Sequence, residues 1–224
     1  KKMPGAKWFQ GARLNFAENL LWRRDGHPAI IFRGETGISK EWSFREVYEE
    51  AHRVAEGLKR LGVRKGDRVA AFMPNMPETI IGMLATASIG AVWSSCSPDF
   101  GVQGVLDRFG QIAPRVLLAV DGYFHLGKQV DVLPRVADIA ANLPSVEKVV
   151  VVPYTRAEPS LTGIRNAIDV RDFMAPFQPR DIPFVRLPFD HPLYILYSSG
   201  TTGVPKCIVH GAGGALLQHL KEHR

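Results

Sequence analysis

Gly66-Asp-Arg-Val-Ala-Ala-Phe-Met-Pro-Asn-Met-Pro-Glu78, followed by Gly90-Ala-Val-Trp93, decides the fold. Arg68–Met73 is an apolar strand, and Pro74-Asn-Met-Pro77 is the loop that ends it. Glu78–Ile89 is too long for a strand and is of ordinary helix length. Gly90 stops that helix, and Ala91–Ser95 is a second buried strand. A strand, a helix and a strand joined this closely form a βαβ unit, whose strands run parallel.

The same stretch invites a membrane reading, because residues 79–98 carry no charge. That length is about what a bilayer span needs. Six Ser and Thr residues and two glycines interrupt it, however, and a helix followed by a buried strand accounts for the run.

Outward from this unit the alternation continues. Upstream, Ala29–Arg33 and Ser39–Ser43 are short strands around Gly34-Glu-Thr-Gly37, and Ser43 with Glu46 forms a capping box. It opens a helix over 44–61 that Gly62 ends. Downstream the pattern predicts helices over 102–112 and 130–142 and strands over 116–120 and 148–152. The fold class is α/β, a parallel sheet flanked by helices.

Seven prolines punctuate residues 153–192, with a short helix expected over 168–174. The expected organisation is an N-terminal extension and first α/β subdomain over 1–152. A Pro-rich crossing between two sheets follows over 153–192, and a second subdomain opens with the strand Leu193–Tyr197 and runs to 224.

The apolar fraction of 46% and charged fraction of 22% suit a globular chain rather than a disordered one. The net charge of +6 is spread evenly, with 16 basic and 12 acidic residues over 1–112 and 12 and 10 over the rest. No basic run is long enough for a nucleic-acid arm. No nucleic-acid or membrane partner is expected. The two cysteines, Cys96 and Cys207, make neither a CxxC nor a zinc spacing, and a reduced, cytoplasmic setting is expected.

The chemistry lies in Tyr194-Ile-Leu-Tyr-Ser-Ser-Gly-Thr-Thr-Gly-Val-Pro-Lys-Cys-Ile-Val-His210. A strand runs into six small residues, Ser198 to Gly203, then Pro205, Lys206 and a second apolar strand. Small residues let backbone N–H groups converge into an anion-binding concavity. The hydroxyls add donors, and Lys206 adds a charge. It is not a Walker A loop, which leads from its lysine into a helix, nor a Rossmann fingerprint. A phosphate site and a flexible Ser/Thr/Gly hairpin turn both fit these residues.

Tyr197–Lys206 closely resembles the phosphate loop of the adenylate-forming superfamily, which includes acyl-CoA synthetases, luciferases and peptide-synthetase adenylation domains. Gly66–Glu78 and Gly90–Trp93 are similar to its first sheet, so the resemblance covers the chain in register. Trp8–Leu21, Ser95-Cys-Ser-Pro-Asp-Phe-Gly101 and Cys207-Ile-Val-His-Gly-Ala-Gly-Gly214 are similar to its acetoacetate-activating members. Acetyl- and propionyl-CoA synthetases share the outline. They usually carry Gly-Gly-Phe-Ser-like residues in place of Ser97–Gly101, and Gly in place of Cys207.

The resemblance implies a two-step ligase. Acetoacetate attacks the α-phosphate of ATP, releasing pyrophosphate, and the thiol of coenzyme A then displaces AMP. Ser198, Ser199, Gly200, Thr201, Thr202 and Gly203 would cradle the phosphates. Thr201 and Thr202 are the best candidates for direct contact, and Lys206 would approach the departing pyrophosphate. Mg²⁺ is implied, with no ligand for it identifiable. Asp121–Lys128 aligns with a segment that places arginines near the 3′-phosphate end of coenzyme A. Here His125 and Lys128 stand in those positions, and a solvated strand-to-helix loop is the alternative.

The family's adenine motif, its ribose-binding Asp and its C-terminal domain with a catalytic lysine are not found, and 18 residues follow Lys206. The chain is therefore expected to be an N-terminal fragment, inactive alone. A non-catalytic nucleotide-binding module and a different short-chain acid ligase are the alternative readings.

Three lesser candidates are read as structural. His219 and His223 are spaced i, i+4 without the Glu of a zinc protease and belong to an exposed helix end. Cys96 is read as a buried thiol, and Trp8, Phe9 and Trp22 as rings packed on the domain.

Overall fold

The computed structural model describes residues 5–198 and 203–223. Its elements run β1 (Arg13–Leu14), α1 (Phe16–Leu20), β2 (Pro28–Arg33), β3 (Ser39–Ser43), α2 (Phe44–Arg60), β4 (Arg68–Phe72) and α3 (Pro77–Ser88). Then come β5 (Val92–Cys96), α4 (Val102–Ile112), β6 (Val116–Val120), β7 (Gly122–His125), β8 (Lys128–Asp131) and α5 (Leu133–Asn142). β9 (Lys148–Val152), β10 (Ala167–Asp169), α6 (Val170–Met174), β11 (Leu187–Pro188), β12 (Pro192–Ser198), β13 (Lys206–Gly211) and α7 (Ala212–Glu222) complete the described chain.

One seven-stranded sheet in the order β10-β9-β6-β4-β5-β12-β13 organises the molecule. Every neighbouring pair is parallel except β12 with β13. The βαβ unit read from the sequence is its centre. β4 is flanked by β5 and β6, so that Val69 lies between Trp93 and Val116. Residues 69–72 are fully buried, as a strand covered on both faces must be. Gly90 takes a φ of +76° at the turn from α3 into β5, a conformation that residues with a Cβ rarely adopt.

α2 starts as its sequence requires. The Ser43 hydroxyl accepts from the Glu46 N–H, and the Glu46 carboxylate accepts from the Ser43 N–H at 2.8 Å. The Ser43 hydroxyl, 2.6 Å from the Glu46 carboxylate, and the Ser43 N–H hold that carboxyl below its ordinary pKa. The 79–98 run divides into α3 and β5, and among the described residues no helix is long and apolar enough to cross a membrane.

Five expectations need correction. Leu193–Tyr197 does not open a second sheet. It lies in β12, beside β5 in the same sheet, with Tyr194 opposite Trp93 and Ile195 opposite Ser94. The Pro-rich segment wraps around the sheet instead of crossing between two. β11 within it pairs with β1, α6 packs on α2, and Asn15 donates to the carbonyls of Ala87, Ser88 and Val185. These bonds carry the chain back to the open edge of β5.

The helix expected over 130–142 starts at Leu133, because Val130 belongs to the hairpin β7–β8. The short helix expected from 168 starts at Val170, because residues 167–169 form β10, parallel to β9. Trp8, Phe9 and Trp22 pack less than expected: they are 51%, 57% and 76% exposed, and the Phe9 ring meets Phe189 at a tilt of 37° with centroids 4.7 Å apart.

Candidate functional site

The site is built at the end of β12. Ser198 and Lys206 face each other as the last rung of the β12–β13 ladder, so residues 199–205 form the connection between two antiparallel strands. Ser199, Gly200, Thr201 and Thr202, four of the six cradle candidates, lie outside the described residues. Gly203 re-enters with a φ of +131°, a region essentially reserved for glycine. Lys206 heads β13 and is exposed, and among the described residues its ammonium has no ion pair. A strand, not a helix, follows the lysine, as the comparison with Walker A loops required.

The entry to the loop is held rigidly. Ser94 on β5 donates its hydroxyl to the Ile195 carbonyl at 2.9 Å, and its Oγ lies 3.1 Å from the Tyr197 hydroxyl. Burial pushes the Tyr197 phenol up to about 12, so it stays protonated and uncharged beside the loop. Arg108 on α4 lies over the Phe100 ring at 4.4 Å and over the Tyr197 ring at 5.8 Å. Phe100 belongs to the Ser97–Gly101 turn at the carboxyl end of β5, where Arg135 donates to the carbonyls of Pro98 and Phe100. The turn after β5 and the end of β12 therefore sit side by side at the carboxyl ends of neighbouring parallel strands. Open α/β sheets bind ligands at that end of their strands.

Lys128 and His125 lie elsewhere. They are opposite partners at the tip of the β7–β8 hairpin, both exposed, with Leu126 and Gly127 at positive φ between them. The Gly127 N–H donates to Glu35 at 3.1 Å, which ties the tip to the turn between β2 and β3. The hairpin follows β6, three strands from β12, a separation of roughly 14 Å across the sheet. The structure does not bring Lys128 to the phosphate loop.

A cavity of about 460 Å³ lined by Trp42, Glu50, Glu78, Tyr154, Arg156 and Met174 opens beside β9. It is four strands from β12, roughly 19 Å, and is separate from the loop. Among the described residues no group of three or more His, Cys, Asp or Glu is placed to hold a metal ion. His219 packs edge-on against Phe16, with His223 6.2 Å beyond it.

Cys96 is buried as expected, and burial pushes its thiol up to about 12. Cys207, half-buried beside Lys206, is the more accessible thiol. Titration of this chain with an aromatic disulfide should release about one equivalent quickly, from Cys207, since the thiolate is the reactive form. Cys96 should react only after unfolding; two fast equivalents would contradict its burial.

An exposed lysine paired across from a serine, with a glycine-closed loop between them at the carboxyl end of a parallel sheet, defines a candidate nucleotide-phosphate site on an α/β scaffold. The sequence model of the AMP-binding enzyme family matches residues 19–223, and the chain belongs to that family. It is 55% identical to the acetoacetyl-coenzyme A synthetase of Rhizobium meliloti (strain 1021), over 100% of this chain and 34% of that protein. It is 44% identical to the acetoacetyl-CoA synthetase of Macaca fascicularis, over 97% of this chain and 33% of that one. Its fold matches the structure of acetoacetyl-CoA synthetase from Streptomyces lividans with a TM-score of 0.91 and 42% identity, covering 98% of this chain and 34% of that one. The chain thus spans about a third of the length of the relatives it matches.

Proposed function

We propose that this chain is the phosphate-loop portion of an ATP-dependent acid–CoA ligase that activates acetoacetate, through acetoacetyl-adenylate, to acetoacetyl-CoA. The observation that carries this reading is 55% identity over the whole chain to an acetoacetyl-coenzyme A synthetase, with Lys206 exposed at the loop exit. In the first step a carboxylate oxygen of acetoacetate forms a bond to the α-phosphorus of ATP. The bond from that phosphorus to the bridging oxygen breaks, and pyrophosphate leaves. In the second the thiol sulfur of coenzyme A attacks the acyl carbon, its proton is lost, and AMP departs.

The first step needs alignment and charge neutralisation more than covalent help from the protein. Ser198, Ser199, Gly200, Thr201, Thr202 and Gly203 supply hydroxyl and N–H donors to the phosphates, and Lys206 supplies the charge. Mg²⁺ bound with ATP would add to this charge neutralisation. Lys128 on the hairpin tip is the candidate for the phosphate-bearing end of coenzyme A. Both described cysteines are free, which fits a reducing compartment such as the cytoplasm.

The test is ATP–pyrophosphate exchange by the full-length protein with acetoacetate, acetate and propionate. The highest kcat/KM is expected for acetoacetate. A higher value for acetate would reassign the protein to the acetyl-CoA ligases.

A further inference from the structure

We propose that α4 is the bracket that sets the phosphate loop, and that Gln111 is the positioning residue at the loop's exit. The proposal rests on the reading of that loop as the ATP site. Small side chains have little surface with which to pack, and Gly203, the first described residue after them, takes a φ of +131°. Contacts from neighbouring elements to the described residues on either side are what can set such a loop.

The described structure shows what does this at each end. At the entry, Arg108 lies over the ring of Tyr197, the residue before Ser198. At the exit, the Gln111 amide donates to the Pro205 carbonyl at 2.8 Å and back to the Asp107 carbonyl at 2.6 Å. Its Oε1 accepts from the Cys207 thiol at 3.5 Å. Both N–H donors and the oxygen of this side chain are engaged. Pro205 and Cys207 flank Lys206, so one side chain fixes the backbone on both sides of the lysine.

Arg108 and Gln111 are spaced i, i+3 and share a face of α4. The helix is a firm support, since Val105, Phe109 and Ile112 are buried in the core. Gln111 itself is exposed. Its bonds therefore contribute to the loop rather than to the core, and its removal should leave the fold intact.

Without the exit contact the loop must be ordered by ATP itself, which weakens ATP binding selectively. In the full-length protein, Gln111→Ala should raise KM for ATP about fivefold, the loss of one net hydrogen bond. KM for acetoacetate should stay near wild type, and Tm should not move. Gln111→Glu keeps the size and the acceptor for Cys207 but loses the donor to Pro205, and should raise KM for ATP at least as much. An unchanged KM for ATP in Gln111→Ala, or equal rises in both KM values with a lowered Tm, overturns the proposal.

Calorimetric titration with MgATP separates this proposal from the functional reading. If the wild type binds MgATP but shows no acetoacetate-dependent exchange, the proposed function falls and the variants' Kd values still decide Gln111. If the wild type binds no MgATP, both fall.

Discussion

Lys206→Ala is expected to slow acyl-adenylate formation by about 10²–10³-fold, the loss typical when one group stabilising developing charge is removed. The Kd for ATP should change far less. Lys206 is exposed at the head of β13, opposite Ser198, and among the described residues no carboxylate neutralises it. The phosphates of bound ATP are already charged, but the oxygen that leaves with pyrophosphate gains further charge only as its bond breaks. Negative charge then grows on the leaving oxygen, and an interaction that strengthens at that moment lowers the barrier rather than the ground state. Lys206→Arg keeps the charge but spreads it over a planar fork, and should restore only part of the rate. Rapid-quench measurement of adenylate formation, with the Kd for ATP measured separately, checks both statements. An unchanged adenylation rate, or a loss appearing wholly in Kd, would remove Lys206 from the reaction.

The part of the candidate site that is contiguous in sequence was legible as a connection between two strands. Six small residues followed by Pro205-Lys206 lie between two apolar runs, which are β12 and β13, and the strand after the lysine sets the segment apart from a Walker A loop. The local elements were legible for the same reason. Helix 102–112 and strands 116–120 and 148–152 lie where periodicity puts them, and the Ser43–Glu46 box opens α2.

What periodicity missed is of two kinds. The β7–β8 hairpin turns on Leu126 at φ +51°, where an Asn or Gly would ordinarily signal the turn, so Val130 was absorbed into the following helix. The other misses are long-range. The pairing of Tyr194 with Trp93 and the bond from Gln111 to Pro205 join residues about a hundred positions apart. The apolar character of β12 predicts a strand but not which sheet edge it will cover. Gln111 is a polar residue on an exposed helix position, and nothing in its neighbours distinguishes it from a solvated one.

Asp121→Ala should have the largest effect on stability, about 3–5 kcal/mol, because it orphans several half-buried donors at once. Asp121 is fully buried between β6 and β7. Its carboxylate accepts from the N–H groups of Tyr154 at 2.6 Å, Thr155 at 3.0 Å and Arg156 at 2.8 Å, and from the Thr155 hydroxyl at 2.6 Å. That single side chain therefore ties the segment after β9 to the base of the hairpin. The base of the hairpin lies close against this segment: a Cβ on Gly122 would lie 2.6 Å from the Val130 carbonyl and 2.7 Å from Thr155 Oγ1. Asp121→Asn keeps the volume and one acceptor oxygen but turns an NH₂ group toward donors, so it should be destabilising to a lesser degree. Urea unfolding gives the magnitude, and hydrogen exchange gives the place. The amides of 154–156 should lose protection in both variants while those of β4 and β6 keep theirs. A loss below about 1 kcal/mol, with those amides still protected, would show that the backbone holds this segment without the carboxylate. Because the hairpin tip carries Lys128, the same substitution should raise KM for coenzyme A while leaving KM for ATP unchanged. That outcome would place the coenzyme A end of the proposed reaction at the separate β7–β8 hairpin and the ATP end at the β12–β13 edge of the large sheet.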